Sequence, residues 1–247
     1  MTDLASAWLA TLERRHLGDL TLSEVGRALR ALSSCYVERR SKLVEGGALA
    51  SRGKRAAFAL FYGALHLFTT REIVRALPDA LNDLSSVIDL GCGTGAAGAA
   101  WALDIRARSI RGYDRHPWAV SEANATYAHF GLNGYASQRD VTRTALKIDR
   151  PTGIVAAYTV NELSADGRAA LLATLLRAHD KAARVLVIEP IARRATPWWK
   201  EWQEAFSRGG GRADEWRFRI ALPPTQQALA RSAGLDPREL TARSLWL

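Results

Sequence analysis

The sequence predicts an α/β fold, with a doubly wound parallel sheet and a helical N-terminal extension. Three observations predict it. Short apolar strands alternate with helical stretches between residues 81 and 190, a glycine-rich turn follows the first strand, and polar residues lie at all five strand ends. The carboxyl ends of parallel strands meet at one edge of a sheet, so these polar residues predict a ligand crevice there.

Residues 1 to 80 are predicted as a helical lid or substrate-binding region. Apolar residues at helical spacing form two stripes: Leu4, Trp8, Leu9 and Leu12, then Val25, Leu29, Leu32 and Tyr36. Thr21 and Glu24 form a capping box before the second stripe. An apolar helix is predicted over 56–67, and Thr69 with Glu72 forms a second capping box that predicts a new helix after it.

Residues 81 to 247 are predicted as the sheet domain. Its strands are expected at 87–90, 109–113, 135–139, 154–160, 184–188 and 240–246, with 215–220 as a weaker candidate for a seventh. Helices are expected at 96–103, from Pro117 to near Gly131, at 164–182 and at 225–233. Residues 191–222 are rich in aromatic side chains and are predicted as an insertion.

Composition limits the class of protein. A hydrophobic content of 48% with 24% charged residues is typical of a folded globular chain of 247 residues. No apolar run approaches the roughly 18 residues of a membrane span, and the N-terminus lacks a secretory signal, so we expect a cytoplasmic protein. Two cysteines, Cys35 and Cys92, argue against a disulfide framework or a thiolate metal cage, and no metal is expected. The net charge of +9 favours an anionic partner such as RNA, although an arginine-rich composition alone gives the same excess.

The turn after the first strand is the most informative motif. Its glycines are Gly91, Gly93 and Gly95. They let the backbone turn sharply and approach a ligand without a Cβ atom in the way, and the helix that follows points its first N–H groups at that ligand. Asp89 lies inside the motif, where a carboxylate would repel a phosphate. The motif therefore favours a ligand that carries a positive charge.

The segment Val87-Ile-Asp-Leu-Gly-Cys-Gly-Thr-Gly95 resembles the cofactor-binding motif of class I S-adenosylmethionine-dependent methyltransferases. The resemblance implies a Rossmann-like fold, methyltransferase activity and a loop, including Cys92, around the amino-acid end of S-adenosylmethionine. A dinucleotide-binding fingerprint is the alternative, because Gly91, Gly93 and Ala96 satisfy G-x-G-x-x-G/A.

Residues after the later strands favour the methyltransferase. Asp114 ends the second strand, where a carboxylate can accept both ribose hydroxyls of an adenosine, and Arg115 follows it. Asp140 and Val141 follow the third strand, and in the resembling family an acid there accepts from the adenine amino group. Tyr158, near the end of the fourth strand, is assigned to the same cofactor site.

Four residues are candidates for the chemistry of transfer. Asn161 and Glu162 follow the fourth strand, where the resembling family keeps its reactive-centre residues, and Glu162 is a candidate general base. Alternatively, Asn161 bonds the loop backbone and Glu162 caps the next helix. Tyr62 and His66 lie one turn apart on an apolar helix, where they either meet the methionine carboxylate or the substrate, or belong to the core.

Two residues are candidates for substrate contact. Glu189 ends the fifth strand, where it either contacts a substrate or turns the chain. In the aromatic-rich insertion, Trp198 and Trp202 share one helical face, and Trp199 is expected to point elsewhere and to stack on a ligand. The neighbouring cations are Arg193, Arg194 and Lys200.

Three functions remain open at this point. Val-Asn-Glu-Leu at 160–163 and Ile-Glu-Pro at 188–190 are similar to the Rsm22-like proteins, methyltransferase-like proteins associated with the small ribosomal subunit, although the cysteine cluster of some members is missing. We therefore expect a methyltransferase that acts on RNA, with ribosomal RNA as one candidate. The alternatives are a methyltransferase of a small molecule with an enclosed pocket, and a non-catalytic binding or ribosome-assembly protein.

Overall fold

Helices separate the strands from Ser86 onward, except between the third and fourth strands, in the computed structural model, which describes residues 2–38, 49–192, 196–235 and 238–247. The helices are α1 (Thr2–His16), α2 (Leu22–Glu38), α3 (Arg52–Ala57), α4 (Ala64–Ala76), α5 (Ala96–Asp104), α6 (Pro117–His129), α7 (Ala165–His179), α8 (Trp199–Arg208) and α9 (Pro224–Ala233). The strands are β1 (Ser86–Leu90), β2 (Ser109–Asp114), β3 (Gly134–Gln138), β4 (Thr152–Ala157), β5 (Arg184–Glu189), β6 (Arg212–Phe218) and β7 (Leu240–Trp246). A π-helical turn (Phe58–Gly63) joins α3 to α4, and a 3-10 turn (Val160–Glu162) follows β4.

The seven strands form one sheet in the order β3-β2-β1-β4-β5-β7-β6. The pairs from β3 to β5 are parallel, and β7 runs antiparallel to β5. The predicted doubly wound α/β fold is confirmed, and the weak seventh strand lies at Arg212–Phe218. The strand order reverses between β1 and β4, and the loops that follow these two strands open a crevice at their carboxyl ends.

Apolar side chains cover both faces of the sheet. On one face, Ile73 and Val74 of α4, Trp101 of α5 and Tyr127 of α6 pack against alternate strand residues. On the other face, the packing residues come from α7 and α8, with Leu175 and Trp202 among the most deeply buried. β1, β4 and β5 are buried on both sides, which explains why they read as continuous apolar runs.

The described chain divides into two compact units. One contains residues 1–66 and 219–240, and the other contains 67–218 and 241–247. Residues 219–240, which the sequence groups with the sheet, pack among the N-terminal helices. The side-chain amide of Gln226 donates to the carbonyl oxygen of Leu60 at 2.9 Å, and Gly26 gives room for Ser232 of α9 to approach α2.

The first predicted capping box is confirmed. The carboxylate of Glu24 accepts from the Thr21 N–H at 2.8 Å, and the Glu24 N–H donates to the Thr21 hydroxyl at 3.3 Å. The second prediction is wrong, because Thr69 lies inside α4 and is buried. No glycine or proline interrupts residues 64–76, so the helix continues through this position. None of the described helices combines the length and apolar character that crossing a membrane requires.

Candidate active site

The glycine loop after β1 presents its main chain, not its side chains, to the crevice. Gly91, Gly93 and Gly95 have φ angles of 68°, 52° and 74°, in the left-handed region that favours glycine. The N–H groups of Gly91 and Cys92 both donate to the carbonyl oxygen of Tyr113, at 2.8 and 3.0 Å, which fixes the loop against β2. Gly91 and Gly93 are partly exposed, whereas Cys92, Thr94 and Gly95 are buried.

Thr159 connects this loop to the loop after β4. Its hydroxyl donates to the carbonyl oxygen of Leu90 at 3.0 Å, and a Cβ added to Gly91 would lie 2.3 Å from that hydroxyl oxygen. The absence of a side chain at Gly91 therefore allows the two loops to touch. Our sequence reasoning missed Thr159, although its position directly after a buried strand and opposite the glycine turn was a usable signal.

Asp89 lies beneath the glycine loop and is 1% exposed. Its carboxylate accepts from the Gly98 N–H in the first turn of α5 at 2.9 Å, so it holds the start of this helix. Burial raises the pKa of Asp89 to about 7, with a further rise from the nearby Asp114 carboxylate. Its partner in the structure is a helix N–H group, and its contact with a cationic ligand stays a prediction.

Two further acids lie at the same edge of the sheet. The Asp114 carboxylate, at the end of β2, accepts from the N–H groups of Gly93 at 2.9 Å and His116 at 2.8 Å. Asp140 is exposed and accepts from the N–H of Thr142 at 2.9 Å and from its hydroxyl at 2.7 Å, and these bonds lower the pKa of Asp140. Val141 beside it is buried in the core.

Cys92 points into the protein interior. Burial raises the pKa of its thiol well above the ordinary value, and the buried hydroxyl of Tyr127 lies nearby. Its backbone N–H is occupied by Tyr113. Any contact of this position with a cofactor would therefore come from the neighbouring main chain and not from the Cys92 side chain. The side chain of Cys35 lies outside the described residues.

Tyr158 begins the loop after β4 in a strained conformation. Its φ angle is 58°, which is unusual for an aromatic residue, and its N–H donates to the carbonyl oxygen of Ile188 at 2.7 Å. Its hydroxyl hydrogen-bonds Thr69, and burial raises its pKa. These contacts hold the half-buried ring at the crevice end of β4.

The 3-10 turn after β4 carries two of the four predicted reaction residues, Asn161 and Glu162. The Asn161 N–H donates to Glu189 Oε1 at 3.1 Å, and the Asn161 side-chain oxygen accepts from the Trp198 indole N–H at 2.9 Å. The Glu162 carboxylate lies 3.9 Å from the Arg115 guanidinium, and its side chain keeps 31% of its exposure. Burial raises the pKa of Glu162 to about 7, Arg115 lowers it, and Asp114 raises it further.

The structure does not support the alternative structural roles that the sequence allowed for Glu162 and Asn161. Ser164, not Glu162, caps α7, because its hydroxyl accepts from the Gly167 N–H at 3.1 Å. The carboxylate of Glu162 is therefore available for another role. The side chain of Asn161 bonds an indole rather than the loop backbone.

Glu189 lies at the end of β5 and is completely buried. It accepts from the backbone of Val160 and Asn161, and its Oε2 atom has no hydrogen-bond partner among the described residues. Burial raises its pKa to about 8. Arg243 of β7 is its Cα partner across the sheet, and the Arg243 guanidinium lies 4.2 Å from the Trp199 ring centroid. Glu189 thus supports the turn that carries Glu162, and its contact with a substrate stays a prediction.

Trp199 lies in the core with its neighbours. It is 8% exposed, and the Trp198 ring centroid is 5.7 Å from that of Trp199 and 5.0 Å from that of Trp202. The expectation that Trp199 points away from the packed face is wrong, because its indole covers the buried guanidinium of Arg243. Arg193 and Arg194 lie outside the described residues.

Tyr62 and His66 belong to the helical unit, whereas the glycine loop and the turn after β4 belong to the sheet unit. The ring centroids of Tyr62 and His66 are 6.2 Å apart, and that of Phe58 is 6.1 Å from His66. Burial lowers the pKa of His66 to about 3, so the imidazole is neutral, and burial raises the pKa of Tyr62. Their role in the reaction stays a prediction.

Comparisons with known proteins agree with this architecture. Residues 68–150 match the methyltransferase small domain family. A stretch of 74 residues is 38% identical to ribosomal RNA small subunit methyltransferase C of Chromohalobacter salexigens and covers 29% of this chain and 22% of that protein. The chain thus spans less than a quarter of this curated relative.

Two solved structures share the fold. Mitomycin 7-O-methyltransferase superposes with a TM-score of 0.55 at 15% identity, over 84% of this chain and 59% of that one. A protein of Nostoc punctiforme described as a candidate O-methyltransferase superposes with a TM-score of 0.55 at 14% identity, over 89% of this chain and 72% of that one. The chain therefore has the fold of class I methyltransferases, and its residues 68–150 match the methyltransferase small domain family.

Proposed function

We propose that this protein is an S-adenosylmethionine-dependent methyltransferase. One observation carries the proposal: the exposed main chain of Gly91 and Gly93 lies beside the carboxylate of Asp114, at the point where the strand order reverses. In an open α/β sheet this is where ligands bind. The match of residues 68–150 to a methyltransferase family supports the same conclusion.

The carboxylates at this edge fit an adenosine whose other end carries a positive charge. Each oxygen of Asp114 accepts one backbone N–H, and a carboxylate has about four acceptor sites, so two ribose hydroxyls can still bind. Asp140 is exposed beyond β3 and can accept from the adenine amino group. Asp89, behind the loop, adds negative charge without filling the crevice. Bound S-adenosylmethionine would supply a methyl group on a sulfonium sulfur.

Glu162 is the general base of the proposed reaction. It is partly exposed at the crevice, its pKa of about 7 allows both protonation states near neutrality, and Arg115 favours the ionised state. Asn161 is held by Glu189 and Trp198, so the turn that presents Glu162 is supported on two sides. The acceptor would lose a proton to this carboxylate as it gains the methyl group.

RNA is the acceptor that we propose. The net charge of +9 favours a polyanion, and the curated relative is named for ribosomal RNA of the small subunit. A cytoplasmic location is part of the same proposal. Two outcomes would replace RNA as the acceptor: methylation of a small molecule, or binding without turnover.

Calorimetry tests the cofactor. We expect the full chain to bind S-adenosylhomocysteine, and Asp114→Asn to weaken this binding about tenfold or more, because hydrogen bonds to a charged group contribute about 1.5–3 kcal/mol. Asp149→Asn is the matched control, since Asp149 pairs with Lys147 and Arg150 outside the predicted cofactor contacts. Binding of a nicotinamide dinucleotide in place of S-adenosylhomocysteine would overturn the assignment.

Transfer of a tritiated methyl group tests the acceptor. Total RNA and a protein-free small-molecule extract are incubated separately with the enzyme and the labelled donor. Label in RNA supports the proposal, and label only in the extract replaces RNA by a small molecule. Cofactor binding with no label in either fraction would favour the non-catalytic alternative.

A further inference from the structure

One end of the sheet carries exposed side chains on a face that none of the described helices covers there. β3 ends at Gln138 and β4 begins at Thr152, and the described residues between them contain no helix. Crossover connections between parallel strands usually place a helix on the sheet. Here the connection contributes Val141, Leu146 and Ile148 to the core that also buries Tyr113 of β2, and Arg111 of β2 and Tyr135 of β3 stay exposed.

The register of β2 and β3 shows which side chains share this open face. Arg111 is the Cα partner of Tyr135, and Tyr113 is the Cα partner of Ser137. Side chains two apart on a strand lie on the same face, so these four belong together. The Arg139 guanidinium lies 5.7 Å from the Tyr113 ring centroid, on the same surface. We call the set of Arg111, Tyr135, Ser137 and Arg139 the β2–β3 face, and Tyr113 is buried beneath Arg139.

An exposed aromatic ring and exposed cations make the β2–β3 face unusual. Tyr135 is 56% exposed, the most exposed large hydrophobic side chain among the described residues. Arg111 and Arg139 are exposed beside it. A tyrosine on an edge strand with arginines on either side can stack on a base while the arginines contact phosphates.

The charge around this face is also positive. Between residues 106 and 150 the basic residues are Arg106, Arg108, Arg111, Arg115, Arg139, Arg143, Lys147 and Arg150, and the acidic ones are Asp114, Glu122, Asp140 and Asp149. Glu122 is buried, and Asp114 and Asp140 lie at the crevice edge. The surface thus complements a polyanion in charge and is unsuited to a basic or purely apolar partner.

We propose that the β2–β3 face binds single-stranded RNA and leads it toward the crevice. Tyr135 stacks on a base, and Arg111 and Arg139 contact phosphates on either side. Arg111 lies three residues before Asp114, about 10 Å at the rise of a strand, so the bound strand approaches the predicted cofactor edge. The inference rests on the proposed function for its biological meaning, because RNA is the acceptor proposed there.

Fluorescence anisotropy with a labelled 16-nucleotide single-stranded RNA of mixed sequence tests the stacking. We expect Tyr135→Leu to weaken RNA binding about fivefold or more, whereas Tyr135→Phe keeps it within about twofold, because stacking needs the ring and not the hydroxyl. An apolar contact with a protein partner would tolerate leucine. Equal RNA binding by the leucine and phenylalanine variants would overturn the stacking role.

The salt dependence of the same binding tests the arginines. The double variant Arg111→Gln with Arg139→Gln should lower the slope of log K against log salt by about 1.4, the value for two phosphate contacts on a single strand. The double variant Arg177→Gln with Arg208→Gln removes the same charge from exposed positions of α7 and α8 and should leave the slope nearly unchanged. Equal slopes for the two double variants would refute the inference.

Calorimetry with S-adenosylhomocysteine on the same proteins separates the two proposals. Cofactor binding with equal RNA affinity in all variants refutes the RNA face and leaves the proposed activity intact. Loss of RNA affinity in the face variants, in a protein that binds no S-adenosylhomocysteine, supports the face and refutes the proposed activity. Loss of RNA affinity with unchanged cofactor binding supports both.

Discussion

At the scale of single residues, the crevice contains two glutamates whose pKa values burial raises toward or above neutrality. Glu162 and Glu189 follow neighbouring strands, and burial raises the pKa of both, to about 7 and about 8. Only Glu162 keeps part of its side chain exposed, with Arg115 beside it. The two residues therefore have different roles: Glu162 faces a reactant, and Glu189 holds the turn.

The first prediction concerns the pH dependence of the reaction. A general base must be deprotonated, so kcat/KM should rise with pH and reach half its plateau near pH 7, the pKa of Glu162. Glu162→Gln should lower kcat about 100-fold or more and remove this limb of the profile. Glu201→Gln, at an exposed position of α8, is the control and should keep the profile of the wild type. A limb near pH 7 that persists in Glu162→Gln would assign the base elsewhere.

Sequence reasoning found the positions of the site residues better than their orientations. Asp114 and Asn161 could be placed because strand ends are visible in the apolar pattern. Two orientations could not be predicted: Asp89 lies under α5, and Trp199 faces the core. Both depend on how the side chains of different elements pack together. Thr159 was missed for the same reason, because its partner Leu90 lies on another strand.

At the scale of elements, the glycine loop allows a matched test of space against backbone strain. Gly91 and Gly131 have similar φ angles of 68° and 63°, but a Cβ at Gly91 would clash with Thr159, whereas a Cβ at Gly131 meets nothing within 4 Å. Alanine in the left-handed region costs roughly 1–2 kcal/mol at either position.

We expect Gly91→Ala to lower the free energy of unfolding by about 1–3 kcal/mol more than Gly131→Ala does, through overpacking against Thr159. Urea denaturation of the two variants measures the difference. Adding Thr159→Ala should recover part of the loss at Gly91 and nothing at Gly131. Equal losses in the two single variants would show that the contact with Thr159 is soft.

Elements were predictable where local patterning and tertiary packing agree. The three strands β1, β4 and β5 are largely apolar because both of their faces are buried, and a periodic signal was not needed to find them. The end of a helix was harder to predict. Thr69 and Glu72 form a valid capping pattern, yet the buried positions Ile73 and Val74 continue the helix that starts before them.

At the scale of the whole molecule, stability should fall as the pH rises from 6.5 to about 8.5. Asp89, Glu162 and Glu189 have native pKa values of about 7, 7 and 8, and unfolded values near 4. In this range the native state binds more protons than the unfolded state, so the free energy of unfolding decreases with pH. His66 opposes this trend mainly at the lower end of the interval, because its unfolded-state pKa is near 6.5.

Urea titrations at pH 6.5 and at about pH 8.5 measure this change. Glu189→Gln, which keeps the shape of the side chain without its titration, should show a smaller difference between the two pH values than the wild type. Glu201→Gln should show the same difference as the wild type. Stability that rises with pH across this interval would contradict the raised pKa values.

The contact between Thr159 and Gly91 links the two sides of the crevice mechanically. One hydroxyl joins the loop proposed to hold the methyl donor to the segment that presents the proposed base, and both ends of the bond are buried. Neither loop can shift without breaking that bond or carrying the other along. If the proposed donor site and base are correct, this contact is where we expect donor binding to affect the position of the base.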